Sequence, residues 1–126
     1  MSRIFVLEDD HDLRNLYQKA LGFRGYEVMV TESAEEAIET LTGIDIVPDI
    51  AVLDMAMEGL PGSEVVWFIR SQERFHHIPI LVVSCNENFR EELADADITF
   101  MRKPLDLREL YHVVSNIISA RQPAAV

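Results

Sequence analysis

Three short apolar runs, none interrupted by a polar side chain, constrain the fold of this chain. They cover residues 4–7, 50–53 and 80–83. A strand that alternates apolar and polar residues buries one face, whereas an unbroken apolar run is typical of a strand covered on both faces. Two weaker runs, at 26–30 and 98–101, bring the expected number of strands to five.

Helical patterns lie between these runs. A third helix is expected over about residues 62–72, and a fourth is confined between residues 87 and 96. The first, second and fifth helices are predicted from apolar residues that repeat every three or four positions and so share one face. These residues are Leu13, Leu16, Tyr17, Ala20 and Leu21; Ala34, Ala37, Ile38 and Leu41; and Leu107, Leu110, Val114, Ile117 and Ile118.

Capping residues support the same division of the chain. Ser33 with Glu36 has the form of a capping box, Asp106 with Glu109 is a variant of it, and Gly43 is placed to end the second helix. Strand and helix therefore alternate five times. This order predicts one α/β domain with a parallel sheet, helices on both faces and right-handed crossovers.

The charge balance limits the classes of partner. The chain has 11 Lys and Arg against 22 Asp and Glu, a net charge of −11. Nucleic acids are held by cationic side chains that neutralise phosphates, so direct nucleic-acid binding is not expected. One cysteine, Cys85, cannot form an internal disulfide, and the sequence shows neither a leader peptide nor an apolar run that could span a bilayer. We expect a cytoplasmic protein that does not bind membranes.

Polar residues follow four of the five predicted strands. Glu8 and Asp9 follow the first strand, Asp54 the third, Ser84 the fourth and Lys103 the fifth. In an open parallel sheet, functional residues lie beyond the carboxyl ends of the strands. Three carboxylates, a hydroxyl and an ammonium are therefore expected to converge on one edge of the sheet.

This group of side chains fits phosphoryl transfer to a carboxylate. Unpaired carboxylates repel one another, and a divalent cation relieves the repulsion. Oxygen ligands favour Mg²⁺, and no Cys/His set suited to zinc is present. Lys103 is a point charge that can hold a phosphoryl group, and the Ser84 hydroxyl can donate a hydrogen bond to a phosphoryl oxygen.

The strand ends carry short motifs, namely Glu8-Asp9, Asp54-Met55-Ala56-Met57 with Gly62 beyond it, Ser84, and Lys103-Pro104. Together these motifs resemble the receiver domain of two-component response regulators, and the resemblance covers the whole chain. It implies a CheY-like, flavodoxin-like (βα)5 fold with a five-stranded parallel sheet in the order 2-1-3-4-5. It also implies that residues 1–126 form a single receiver domain, in which 121–126 are a frayed tail or the start of a linker.

The resemblance also implies a role for each residue of the site. Asp54 would be the phosphoacceptor, and Lys103 would bind a phosphoryl oxygen. Asp9 and Asp54 would ligate Mg²⁺ directly, with Glu8 acting through water and the backbone carbonyl of Ala56 supplying another ligand.

Two further positions match the switch residues of the family. Ser84 corresponds to the hydroxyl residue that is drawn toward the phosphate, and Phe100 to the aromatic residue that turns inward on activation. The implied partners are a histidine kinase or histidine phosphotransfer protein, and a downstream protein target, an attached output domain or a second copy of the chain.

The sequence departs from the family pattern at several places. Glu58 and Pro61 stand where proline and aspartate are usual, and Cys85 replaces a small residue after Ser84. Ser84 and Lys103 are separated by 19 positions, which is shorter than is typical by about three residues, nearly one helical turn. We therefore predict a short or partly disordered fourth helix.

Other interpretations remain open from the sequence alone. One alternative is a pseudo-receiver that binds partners without phosphate. Another is a Mg²⁺-dependent phosphatase with an aspartyl nucleophile, although Ala56 stands where such an enzyme has its second aspartate. The alternative role of Glu8 and Asp9 is to cap the first helix at its positive end, which is compatible with metal binding. The alternative for Ser84 is a simple hydrogen-bonded hydroxyl at a strand end, and the alternative for Phe100 is an aromatic residue that only packs in the core or covers the surface. Four more side chains, predicted to be packing or surface residues, are Trp67, His11, His76 and His77.

Overall fold

Residues 1–55 and 61–121 are described by a computed structural model, and in them strands and helices alternate along the chain. All five predicted strands and all five predicted helices are present. The strands are β1 (Arg3–Leu7), β2 (Glu27–Thr31), β3 (Ile50–Asp54), β4 (Ile80–Ser84) and β5 (Thr99–Arg102). The helices are α1 (His11–Phe23), α2 (Ala34–Thr42), α3 (Gly62–Ser71), α4 (Asn88–Glu92) and α5 (Leu107–Arg121).

The five strands form one parallel sheet in the order β2-β1-β3-β4-β5, which confirms the predicted flavodoxin-like topology. In the register of the sheet, Val6 of β1 lies opposite Val30 of β2 on one side and Val52 of β3 on the other. Every residue of β3 and β4 is buried. The apolar runs do not alternate because helices cover both faces of these central strands.

Two apolar layers cover the sheet. Successive strand residues point to opposite faces, so Phe5 and Leu53 pack in one layer while Val6 and Val52 pack in the other. The first layer also contains the buried faces of α2 and α3, and the second contains those of α1 and α5. This arrangement leaves the carboxyl edge of the sheet as the place where polar groups meet.

The predicted caps are present, with one correction. The Ser33 hydroxyl accepts a hydrogen bond from the Glu36 N–H at 3.1 Å, and Gly43 is the C-cap residue of α2. The N-cap of α1 is Asp10, whose carboxylate accepts the Leu13 N–H at 2.8 Å. Glu8 and Asp9 therefore do not cap this helix, because both residues precede its N-cap.

The fourth helix is short, as the spacing between Ser84 and Lys103 predicts. Helix α4 has five residues and is followed by a single 3-10 turn, Ala94–Ala96. Arg70 of α3 holds this turn. Its guanidinium donates to the carbonyls of Ala96 at 2.7 Å and Asp97 at 3.0 Å, and also to those of His76 and Ile78. Asp97, at φ 55, ends the turn in a left-handed conformation.

The side chains assigned to packing or to the surface lie as expected. Val65, Val66 and Ile69 of α3 are buried, whereas Trp67 is 44% exposed and lies off that face. The histidines at 11, 76 and 77 are exposed. Within the two described ranges, no helix has the length and apolar character needed to cross a membrane.

Candidate functional site

Residues at the carboxyl ends of β1, β3 and β5 meet at one edge of the sheet. Lys103 lies just beyond β5, and its Nζ is 3.2 Å from Glu8 Oε1 and 3.3 Å from Asp54 Oδ2. Glu8 is fully buried and Asp54 is 3% exposed. One ammonium therefore bridges two buried carboxylates that the sequence places 46 residues apart, at the ends of neighbouring strands.

Asp9 completes a cluster of three carboxylates. One ligand oxygen from each of Glu8, Asp9 and Asp54 lies within 4.8 Å of the other two. Asp9 is exposed, so the cluster opens to solvent on its side. Oxygen donors at this spacing, with one solvent-facing member, fit a hard divalent cation such as Mg²⁺, which keeps several waters when it is bound.

The charge on this cluster is not balanced by the protein alone. Burial, and then a hydrogen bond and charge repulsion from Asp54, raise the pKa of Glu8 to about 8, although Lys103 opposes the change. Burial lowers the pKa of Lys103, but the negative charges of Asp54 and Glu8 outweigh this and raise it. Lys103 is therefore a permanent cation, whereas Glu8 holds a proton that a bound metal ion would displace.

This proton predicts how the stability of the metal-free protein changes with pH. Between about pH 4.5 and pH 8, Glu8 ionises in the unfolded chain but stays protonated in the folded protein. The free energy of unfolding should therefore fall as the pH rises through this range. Urea unfolding in EDTA at several pH values should show this decline, and Glu8→Gln should remove part of it.

Glu91→Gln is the matched control, because Glu91 is exposed and lies outside the cluster. Its pH profile should follow that of the wild type. The same pH dependence in the wild type and in Glu8→Gln would contradict the buried-proton interpretation.

Ser84 lies at the end of β4 and is fully buried. Its hydroxyl oxygen accepts the Asn86 N–H at 3.1 Å, and its carbonyl accepts the Lys103 N–H at 3.0 Å. The second hydrogen bond holds the backbone of Lys103, just after β5, against the end of β4. Ser84 therefore lies at the carboxyl end of β4, next to Val83, which pairs with Asp54 of β3.

Gly62, the first residue of α3, lies directly against the backbone of Asp54. A Cβ at this position would overlap the Asp54 carbonyl oxygen and would approach the Met55 Cα. Only glycine lets α3 begin this close to the end of β3. Gly62 therefore helps to place Asp54.

Arg14 is a residue of the site that sequence reasoning missed. Its Nη1 donates to the carbonyl oxygens of Glu8 at 3.1 Å and Asp9 at 3.2 Å, and its Nη2 is 3.4 Å from Glu32 Oε2. The guanidinium clamps the loop that presents the first two carboxylates. The sequence feature that could have identified Arg14 is its position as a cation in the first turn of α1, just after an acidic segment.

The remaining predicted residues lie at the margin of the site or outside the described ranges. Phe100 of β5 is half-buried, and the guanidinium carbon of Arg90 lies 4.7 Å from the centre of its ring. Cys85 is exposed. Pro61 precedes α3 and makes no side-chain cap. Ala56, Met57 and Glu58 lie outside the described residues, so the Ala56 carbonyl stays a prediction.

Comparison with known proteins agrees with this geometry. Residues 4–115 match the model of the response regulator receiver domain family. The response regulator MprA of Mycolicibacterium vanbaalenii is 33% identical over 111 residues, which cover 86% of this chain and 46% of MprA. This chain thus spans less than half the length of that relative.

Solved structures share the fold. CheY4 of Vibrio cholerae superposes with a TM-score of 0.84 at 22% identity, covering 93% of this chain and 98% of CheY4. TrrA of Thermotoga maritima, a response regulator solved in complex with Mg²⁺ and BeF, superposes with a TM-score of 0.81 at 28% identity. This match covers 93% of this chain and 99% of TrrA.

Proposed function

This chain belongs to the family of response regulator receiver domains, and we propose that it accepts a phosphoryl group on Asp54. The donor would be a histidine kinase or a histidine phosphotransfer protein of a two-component system. The observation that carries the proposal is the contact of Lys103 with Asp54 and Glu8 inside a cluster of three carboxylates.

Glu8, Asp9 and Asp54 would hold Mg²⁺, with the backbone carbonyl of Ala56 as a further ligand. When bound, the ion supplies positive charge that draws the phosphoryl oxygens to the site and offsets the charge on them. The closely spaced carboxylate oxygens support this assignment. The raised pKa of Glu8 supports it as well, because it reflects burial and the negative charge of Asp54, and a cation bound there would favour the ionised form of Glu8.

Asp54 acts as the nucleophile. One of its carboxylate oxygens forms a bond to phosphorus as the bond from phosphorus to the donor breaks, and the donor leaves with that electron pair. The product is an acyl phosphate. Lys103 Nζ, which is 3.3 Å from Asp54 Oδ2, is close enough to bind an oxygen of the arriving group and offset its charge.

Ser84 and Phe100 would change conformation when Asp54 is phosphorylated, and their movement would alter the surface of the protein. The Ser84 hydroxyl would exchange its contact with the Asn86 N–H for one with a phosphoryl oxygen. Phe100 is half-buried and is covered by the Arg90 guanidinium, so an inward turn of its ring would release Arg90. New charge at Asp54 would bias the equilibrium between these two arrangements.

The output is delivered by binding. We propose that residues 1–126 form one receiver domain that acts in the cytoplasm, on a downstream protein or on an attached output domain. The length of MprA, of which this chain covers 46%, supports the attached domain. The family is a signalling module, so its only chemistry would be the gain and loss of its own phosphoryl group.

Acetyl phosphate tests the proposal. The protein is incubated with acetyl phosphate in Mg²⁺ or in EDTA, and its intact mass is followed with time. We expect one phosphoryl adduct that forms only with Mg²⁺. If acetyl phosphate gives no adduct and beryllofluoride no spectral change, the proposal is wrong and a pseudo-receiver is favoured; steady turnover of a phosphate ester would instead indicate a phosphatase.

A further inference from the structure

A group of cationic side chains, separate from the site around Asp54, lies on the face of the molecule formed by α1 and α5. They border an open depression of about 290 Å³ that is lined by Arg24, Arg108, Tyr111, His112 and Ser115. None of these residues is acidic, although the chain carries a net charge of −11. None belongs to the carboxylate cluster around Asp54.

Arg24 is held in place by an aromatic ring. Its guanidinium carbon lies 4.0 Å from the centre of the Tyr111 ring. A guanidinium that stacks on an aromatic face keeps its N–H groups, which lie in its own plane, available for hydrogen bonds. Stacking also restricts a long side chain, so less entropy is lost when Arg24 binds a ligand.

Arg24 and Arg108 differ from most other cations of the chain. Among the described Arg and Lys side chains, Arg3, Arg14, Arg90, Arg102 and Lys103 lie within 4.0 Å of carboxylates, and Arg70 and Arg74 donate to carbonyl oxygens. Arg24, Arg108 and Lys19 make no such contact in the described ranges, and two of these three line the same depression.

We propose that this depression binds a small phosphate-bearing ligand. A guanidinium matches phosphate oxygens through paired, charge-assisted hydrogen bonds. Ser115 adds a hydroxyl on the same side. His112, three residues earlier on α5, can offer only its Nδ1, because its Nε2 lies 3.1 Å from Asn116 Nδ2. A small anion is favoured over an acidic protein, because the net charge of −11 repels a large acidic partner over its whole surface.

NMR titration of the full chain tests the proposal. Inorganic phosphate and glycerol phosphate are added separately, without Mg²⁺ and at constant ionic strength set with chloride. We expect saturable amide shifts at residues 108–115 and around Arg24. A lower dissociation constant for glycerol phosphate than for inorganic phosphate identifies a phosphate ester as the ligand, and equal dissociation constants identify phosphate itself.

Substitutions locate the site. Arg24→Gln and Arg108→Gln should each weaken binding about tenfold, as expected for the loss of one charge-assisted contact. Lys19→Gln removes the same charge from outside the depression and should leave the affinity unchanged. Shifts that do not saturate, or equal losses in all three variants, would overturn the proposal. The site does not depend on Asp54, so Asp54→Asn should bind phosphate here as the wild type does.

Discussion

Asp54→Asn is expected to lose phosphoryl acceptance completely and to unfold at a higher urea concentration than the wild type in EDTA. The amide is not a nucleophile for this reaction, so no acyl phosphate can form. The gain in stability, about 1 kcal/mol, follows because the substitution removes one of three carboxylates that lie within 4.8 Å of one another. Lys103 then pairs with Glu8 alone, and the pKa of Glu8 should fall toward its usual range.

Both effects have direct measurements. Phosphoryl acceptance is read from the intact mass after incubation with acetyl phosphate and Mg²⁺, and stability from the urea midpoint in EDTA. Asp95→Asn, a change of the same type at an exposed position outside the site, should alter neither. An Asp54→Asn protein that still gains the adduct at the wild-type rate would show that another residue accepts the group.

Gly62→Ala is expected to destabilise the protein by about 3 kcal/mol, toward the upper end of what one added methyl group costs in a packed interior. The new Cβ would overlap the carbonyl oxygen of Asp54, which is backbone and cannot turn away as a side chain could. Either α3 or the end of β3 must shift. We therefore expect slower phosphoryl acceptance in the fraction that remains folded.

Gly22→Ala is the matched control for this substitution. Gly22 lies inside α1, and a Cβ there would meet nothing within 4 Å. Alanine is the better helix former, so this variant should gain about 0.5–1 kcal/mol. The two Gly→Ala changes should thus shift the urea midpoint in opposite directions. Equal shifts would contradict the close approach of α3 to Asp54.

The fold was predictable because its main signals are local. The unbroken runs at 50–53 and 80–83 become the fully buried strands β3 and β4, and alternation with helices leaves few topologies to consider. The short fourth helix was predictable from the spacing of Ser84 and Lys103. Its stabilisation by Arg70 was not, because the acceptors are backbone carbonyls as far as 27 residues away, and these have no sequence signature.

The sequence predicts which residues belong to the site better than it predicts which of them contact each other. The positions of Glu8, Asp54 and Lys103 at strand ends follow from the parallel sheet. The hydrogen bond from Lys103 to Glu8, 95 residues away, depends on the twist of the sheet and on the length of the lysine side chain. The clamp by Arg14 and the close approach of Gly62 likewise appear only when helices and strands are packed together.

The central claim is that Asp54 receives the phosphoryl group. The most direct test is to treat the native protein with acetyl phosphate and Mg²⁺, digest it, and locate the added group by tandem mass spectrometry. The account predicts a single Mg²⁺-dependent phosphoryl group on Asp54. A phosphoryl group on Asp9 or another residue, or equal labelling in EDTA, would contradict it.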